Sequence, residues 1–159
     1  MLPTNISQRV KHATSMSHTH FLYHIVFGTK DRLPMIDVSW ENELYRYLAG
    51  IIKGQGGEAI EINGMPEHVH VFARLQPCDF PAFMRELKAS SSKWAKRHNP
   101  KFAWQRRYGA FTVSESAAES VRKYIREQKQ RHAKRTFEEE YTGLLRNHKI
   151  AFDEKYLWD

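Results

Sequence analysis

The chain has 159 residues, 41% hydrophobic, 13% aromatic and 27% charged, enough for one domain with a real core and too short for a second full one. Its 25 Lys and Arg against 18 Asp and Glu give a net charge of +7, which points to a polyanionic partner such as nucleic acid or an acidic membrane surface. One cysteine, Cys78, excludes an intrachain disulfide framework and a multi-cysteine zinc site and suits a reducing cytoplasm.

Residues 1–17 are polar and unpatterned and are expected to be a mobile tail or a start placed too early, without a signal pattern. Residues 18–159 then make a single domain. The stretch HFLYHIVFGT, His20 to Thr29, is rich in aromatic and β-branched residues and reads as a buried strand, with Pro34 closing the connection after it. Its apolar run is interrupted by histidine and falls far short of the roughly 20 residues of a membrane helix, so a soluble, cytoplasmic protein is expected. From Ser39, an expected N-cap, Leu44, Tyr47, Leu48, Ile51 and Ile52 follow helical spacing, and Gly54 with Gly56-Gly57 ends the pattern. Alternation predicts a second strand near Glu58 to Asn63, and Gly64-Met65-Pro66 turns into a third, His68 to Leu75.

Phe80, Phe83, Met84, Leu87, Ser91 and Trp94 stripe a second helix, with Arg85, Lys88, Ser92 and Lys96 on another face. The segment Phe102 to Ser114 predicts a strand with an irregular, aromatic and basic lead-in, and SESAA, Ser114 to Ala118, is the best hinge. A third helix is expected from about Ala117 to His132. A fourth starts at Thr136 with the capping box Thr136-x-x-Glu139 and carries Phe137, Tyr141, Leu144 and Leu145. The order is a βαββαβ core followed by two helices. That is an α+β, ferredoxin-like arrangement, an antiparallel sheet backed by two helices on one side.

The charge is unevenly placed. From Arg85 to Arg135 there are 15 Lys and Arg against four Glu, a net of +11, which leaves −4 for the rest of the chain. A solvated face would mix signs, so this segment suits contact with phosphates. Trp94, Trp104 and Tyr108 could stack unpaired bases, although core packing is the commoner fate of such rings.

His68-Val69-His70 falls on a predicted strand, so both imidazoles share one face while Val69 and Val71 point to the core. Such a pair suits a divalent metal; it equally describes an exposed polar strand face that happens to carry histidines. Tyr124 and Gln128 stack on one face of the third helix, with His132 one turn further. An amide oxygen beside two imidazoles leaves coordination positions open for phosphate and water, a set that favours Mg²⁺ or Mn²⁺, and a tyrosine beside it could act as nucleophile. Alternatively Tyr124 packs with Val121 and Ile125. Glu67 should face away from its neighbouring histidine by strand alternation, which leaves a hydrolase acting through a general base poorly supplied.

HIVFGTKDR (His24 to Arg32), GMPEHVHVF (Gly64 to Phe72), WQRRYGAFTVS (Trp104 to Ser114), YIREQKQRH (Tyr124 to His132), TFEEEYTGLL and the closing FDEKYLW stand in order along nearly the whole chain after residue 18. Together they resemble the HUH-type single-tyrosine transposases of small insertion sequences, with Glu67 where that family commonly has Asp. The resemblance implies DNA transposition and recombination: Tyr124 as the catalytic nucleophile on single-stranded DNA, a 5′-phosphotyrosine intermediate, and His68, His70 and Gln128 holding Mg²⁺ or Mn²⁺. It implies hairpins in single-stranded DNA at the element's ends as the partner, and a homodimer. The candidate DNA contacts are Lys30, Arg32, Arg85, Lys88, Lys96, Arg106, Arg107, Arg122 and Lys123. A domesticated or inactive relative that keeps hairpin binding without cleavage is the alternative.

Overall fold

In the two central strands the side chains of both faces are buried, so the sheet has to be covered twice. The computed structural model describes residues 18–158; the expected tail at 1–17 lies outside them. Strands β1 (Phe21–Gly28), β2 (Glu58–Met65), β3 (His68–Leu75) and β4 (Gly109–Val113) form one antiparallel sheet in the order β2-β3-β1-β4. With helices α1 (Glu41–Gly54) and α2 (Phe80–Ala95) between the strands, this is the βαββαβ order expected from the sequence.

Strand alternation sorts the two cores. Ile25, Phe27, Val69, Val71, Ala73 and Leu75 pack under α1 and α2 against Leu44, Leu48, Ile52, Phe83, Met84 and Leu87. Leu22, Val26 and Phe72 lie on the opposite face, beneath the C-terminal third of the chain, which comprises α3 (Ala118–Arg126), the short α4 (Gln128–Arg131) and α5 (Phe137–Asn147). Phe137, Tyr141 and Leu145 of α5 and Leu157 beyond it form the larger part of that second core, and Trp158 packs against Phe137 and Tyr141. The expected sheet backed on one side is therefore a sheet backed on both.

Several boundaries differ from the sequence reading for identifiable reasons. Helix α1 begins at Glu41 behind Trp40, without a side-chain cap, because Ser39 instead donates its backbone N–H to Asp37 at 2.8 Å. The segment from Phe102 reaches the sheet first through a lone bridge between Trp104 and Thr29 and becomes a strand only at Gly109. Residues Glu115–Ala117 of the expected hinge form a 3-10 turn leading into α3. The single helix expected up to His132 is broken at Glu127: Asn63 of β2 donates its amide to the carbonyls of Ile125 and Arg126, both at 3.0 Å, and so takes over acceptors at the end of α3. Helix α5 starts as expected, with Thr136 and Glu139 making the reciprocal capping box.

Gly64 permits the tight join of β2 to β3, because a Cβ there would lie 2.2 Å from the carbonyl oxygen of His68 and 2.9 Å from the Cα of Val69. Both are backbone atoms and cannot swing aside. Gly64→Ala is expected to destabilise the fold by about 2–3 kcal/mol, whereas Gly50→Ala in α1, where a Cβ meets open space, should stabilise it by about 0.5–1 kcal/mol. Urea denaturation of the two variants checks both signs; an unchanged Gly64→Ala would contradict the close approach.

Candidate metal and tyrosine centre

His68 and His70 project from β3 to the face that α3, α4 and α5 cover, and both are 0% exposed. The exposed polar strand face that the sequence also allowed is thereby excluded. Each ring is held through Nδ1. His68 Nδ1 lies 3.0 Å from Oε1 of Glu67, and His70 Nδ1 lies 2.8 Å from Nε2 of His24. Glu67 does not face away as alternation suggested, because it sits in the two-residue turn between β2 and β3 and not in the strand. His24 was not among the expected site residues. Its signal was the histidine interrupting an apolar strand, and its placement follows from register: Val26 pairs with His70, so His24 is the diagonal neighbour on the same face.

The other half of the centre comes from the C-terminal helices. Tyr124 of α3 donates its hydroxyl to Oε1 of Glu140 at 2.5 Å, and the Gln128 amide donates to the same oxygen at 3.2 Å. His70 Nε2 is 2.7 Å from that oxygen, and His132 Nε2 contacts Oε2 of the same carboxylate. Phe137, one helical turn before Glu140, stacks on the His68 ring with centroids 4.0 Å apart. Tyr124 presents its ring edge-on to His24 and His70 at 6.0 and 5.9 Å, and the Arg131 guanidinium lies 4.7 Å from its centroid. The structure thus brings Tyr124, Gln128, His68 and His70 together within one chain. The packing expected of Tyr124 against Val121 and Ile125 also holds, since all three belong to one apolar cluster. Glu140 was missed by the sequence reading; its only signal was an acid on the apolar side of α5, three residues after Phe137.

Burial and charge set the protonation states. Burial, and then the neighbouring His70, hold His24 well below the ordinary imidazole range. Burial pushes His68 down to about 4 despite the Glu67 carboxylate. Burial alone would raise Glu140, but its hydrogen bonds with His132 and His70 hold it well below the usual carboxylate range. Burial and the Glu140 carboxylate push the Tyr124 phenol up, so the resting tyrosine is firmly protonated.

The donor set fits a divalent ion. His68 Nε2 and Gln128 Oε1 are buried without a hydrogen bond, and the Nε2 atoms of His70 and His132 meet only the Glu140 carboxylate. Two open donors beside two imidazoles that share one carboxylate suit a metal position. The Nδ1 partners of His68 and His70 leave Nε2 free to coordinate, the usual support of a ligating imidazole.

The nine expected DNA contacts lie outside this centre. Arg85, Lys88 and Arg106 line one hollow with Met84 and Tyr108. The Lys88 ammonium is committed to the carbonyls of Gln105 and Arg106 at 2.5 and 2.8 Å. Arg32 pairs with Glu138 at 2.9 Å beneath the Trp158 ring, and Arg122 pairs with Glu61 at 3.2 Å. Lys123 approaches Glu127 at 4.0 Å. Lys30, Lys96 and Arg107 are exposed and, like Arg85 and Arg106, make no ion pair among the described residues. The three aromatic candidates are packed: Trp94 stacks on Tyr47, Trp104 donates its indole N–H to Ser91 at 2.9 Å, and Tyr108 rests on Phe80. Among the described residues no helix is long and apolar enough to cross a membrane.

A family model described as Transposase IS200 like matches residues 17–128. ISDra2 transposase TnpA of Deinococcus radiodurans is 28% identical over 115 residues, covering 67% of this chain and 82% of the relative. The crystal structure of a protein of Deinococcus radiodurans R1, described as a candidate transposase, superposes with a TM-score of 0.58 at 25% identity over 70% of this chain and 93% of that one. A REP-associated tyrosine transposase, solved bound to a REP hairpin, superposes with a TM-score of 0.56 at 17% identity, over 73% of this chain and 72% of that one, a likeness of fold.

The buried neutral imidazoles make stability depend on pH. In the unfolded chain His24 and His68 take up protons near pH 6.5, whereas in the fold His68 stays neutral down to about pH 4 and His24 is also depressed. The contribution of these two groups is therefore full above pH 6.5 and falls as pH drops toward 4, by about 1.4 kcal/mol per pH unit for each. His132, shifted upward by Glu140 against the effect of burial, contributes in full below pH 6.5 and loses its contribution as pH rises through its folded value. Urea denaturation of chelator-treated protein between pH 7 and 4 should show the loss, and His24→Phe should about halve its slope. Stability that stays flat or rises on acidification would refute the neutral burial.

Proposed function

The chain belongs to the IS200-like transposase family, and from that premise we propose that it cleaves and rejoins single-stranded DNA with Tyr124 as nucleophile. The observation that carries this reading is the convergence of the Tyr124 hydroxyl, Gln128 and His70 on one buried carboxylate, with a ring nitrogen of His68 within 4.8 Å of it. A structural tyrosine does not need that company.

His68, His70 and Gln128 would hold a divalent ion, Mg²⁺ or Mn²⁺ in the reading made from the sequence. When bound, such an ion polarises the scissile phosphodiester and offsets its charge. Tyr124 supplies the phenolic oxygen that attacks phosphorus. The new bond is Tyr124 Oη to phosphorus, the bond broken is phosphorus to the 3′ oxygen, and that oxygen leaves as a 3′-hydroxyl after taking a proton. The reverse attack by a 3′-hydroxyl of another end restores the phosphodiester, so no external energy source is required. His24 and Glu67 orient the two imidazoles through Nδ1.

Because His68, His70 and Gln128 are 0% exposed, a phosphodiester reaches them only when α5 gives way. Tyr124 stands at its own chain's histidines here, so the closed form supports action within one subunit. Two DNA ends still call for two sites, for which a homodimer is the simplest assembly. Lys30, Arg85, Lys96, Arg106 and Arg107, free of ion pairs, would track phosphates of a hairpin substrate, the type of DNA bound in the REP-associated structure.

The test is incubation with a single-stranded hairpin carrying a 5′ flank and Mg²⁺ or Mn²⁺, followed by denaturing electrophoresis. A covalent protein–DNA species is expected, reduced on the order of 10³-fold or more by Tyr124→Phe. His68→Ala and Gln128→Ala should lose most of it and recover part at high metal. Hairpin binding with no adduct for any metal would instead identify a binding protein that no longer cleaves, and normal cleavage by Tyr124→Phe would remove the nucleophile assignment.

A further inference from the structure

Outside the histidine centre, one buried side chain lacks every hydrogen-bond partner among the described residues. Gln105, in the segment before β4, is 3% exposed, and neither its amide nitrogen nor its amide oxygen is bonded. Its backbone is fully engaged, the N–H with the Gly28 carbonyl at 2.9 Å and the carbonyl with the Lys88 ammonium at 2.5 Å, so only the side chain is left over. An amide orphaned at that depth is costly in the free protein. Gln105 lines a hollow of about 340 Å³ together with Lys30, Asp31, Trp104, Arg106 and Trp158. Lys30 and Arg106 are exposed and make no ion pair among the described residues, and the two half-buried tryptophans supply apolar walls. Gly28 fixes the position of this hollow: a Cβ there would meet Gln105 Oε1 at 3.2 Å and the Phe137 ring at 3.1 Å, and Phe137 in turn stacks on His68. The hollow therefore adjoins the histidine centre and shares none of its residues.

We propose that this hollow seats one unpaired base of the single-stranded DNA substrate, with adenine preferred, and that Gln105 is the residue that reads it. The inference rests on the single-strand reading above and deepens it. A primary amide offers a donor and an acceptor side by side, the pair that bonds adenine through N6 and N7 at once. An unpaired base also brings a π-face for the tryptophan walls, larger in a purine than in a pyrimidine, and an attached phosphate of the sign that Lys30 and Arg106 meet. Asp31 is the one acid of the hollow and leaves its charge positive. The walls are held from behind: Trp104 donates its indole N–H to Ser91 at 2.9 Å, and Trp158 carries the Arg32 guanidinium 4.5 Å from its ring centroid. Walls already fixed in the free protein lose little freedom when a base enters. The two cations would accept any sequence, so selectivity falls to the buried amide.

The experiment uses the full chain in chelator, so that cleavage does not enter, and follows the fluorescence anisotropy of short labelled oligo-dA, oligo-dC and oligo-dT. Oligo-dA should bind on the order of 10-fold tighter than oligo-dT. Gln105→Leu should erase that preference and keep the weaker affinity common to all three, whereas Lys30→Ala should weaken all three alike and lower the salt dependence. Without DNA, Gln105→Leu should unfold at the same or a higher urea concentration than the unaltered protein, because it removes an orphaned amide. A Gln105 that serves only the fold gives the opposite sign. A destabilised or unfolded Gln105→Leu protein, no preference for oligo-dA in the unaltered chain, or a preference that survives Gln105→Leu each overturns the proposal. A Tyr124-dependent adduct on hairpin DNA without any adenine preference would leave the transposase reading standing and remove only this inference. Adenine binding that needs Gln105, with no adduct on any substrate, would do the reverse.

Discussion

The carboxylate of Glu140 is the group on which the second half of the fold is organised. It accepts from Tyr124 and Gln128 and lies against His70 and His132, so the acid and the four polar side chains that rely on it join three separate elements. Those elements are β3, the broken α3–α4 helix and α5. A charge at that depth is tolerable only with such company, and each partner would itself be a buried, unsatisfied group without it. Apolar packing around the network, with Phe137 on His68 and Ile125 against Phe72, supplies the burial that makes these polar contacts strong.

Much of this was legible from residue patterns, and the exceptions have a common cause. Strand alternation correctly sent Val69 and Val71 to one core and His68 and His70 to the other face, and helical spacing found α2 with Phe83, Met84 and Leu87 inside. The capping box at Thr136 marked the start of α5 because it depends on four adjacent residues alone. What was missed depends on contacts distant in the chain. The break after Arg126 is made by Asn63, more than sixty residues earlier, and the role of Glu140 is visible only when α5 is laid over the sheet. Glu67 was misread because alternation was carried one residue past the end of the strand.

The surface and the buried centre follow different electrostatic rules. Between Arg85 and Arg135 the positive excess is large, yet part of it is consumed internally: Lys88 braces two carbonyls, Arg122 and Arg126 share Glu61, and Arg131 serves both Glu127 and the Tyr124 ring. A count of charge along the sequence therefore overstates the cations available to a polyanion. Among those without ion pairs, Arg85, Lys96, Arg106 and Arg107 lie on or just after α2 and in the segment before β4, whereas Lys134 and Arg135 line a hollow with His132 and Glu67.

The two-sided cover of the sheet also sets an order of assembly. The core between the sheet and α1 with α2 uses residues up to about 110, whereas the helices that cover Val26, His68, His70 and Phe72 come after residue 117. During synthesis a chain emerging from the ribosome can complete its first core while the histidine face is still bare to water. The last forty residues then arrive as a unit that seals a half-finished molecule, and the histidines pass from solvent to interior in that late event.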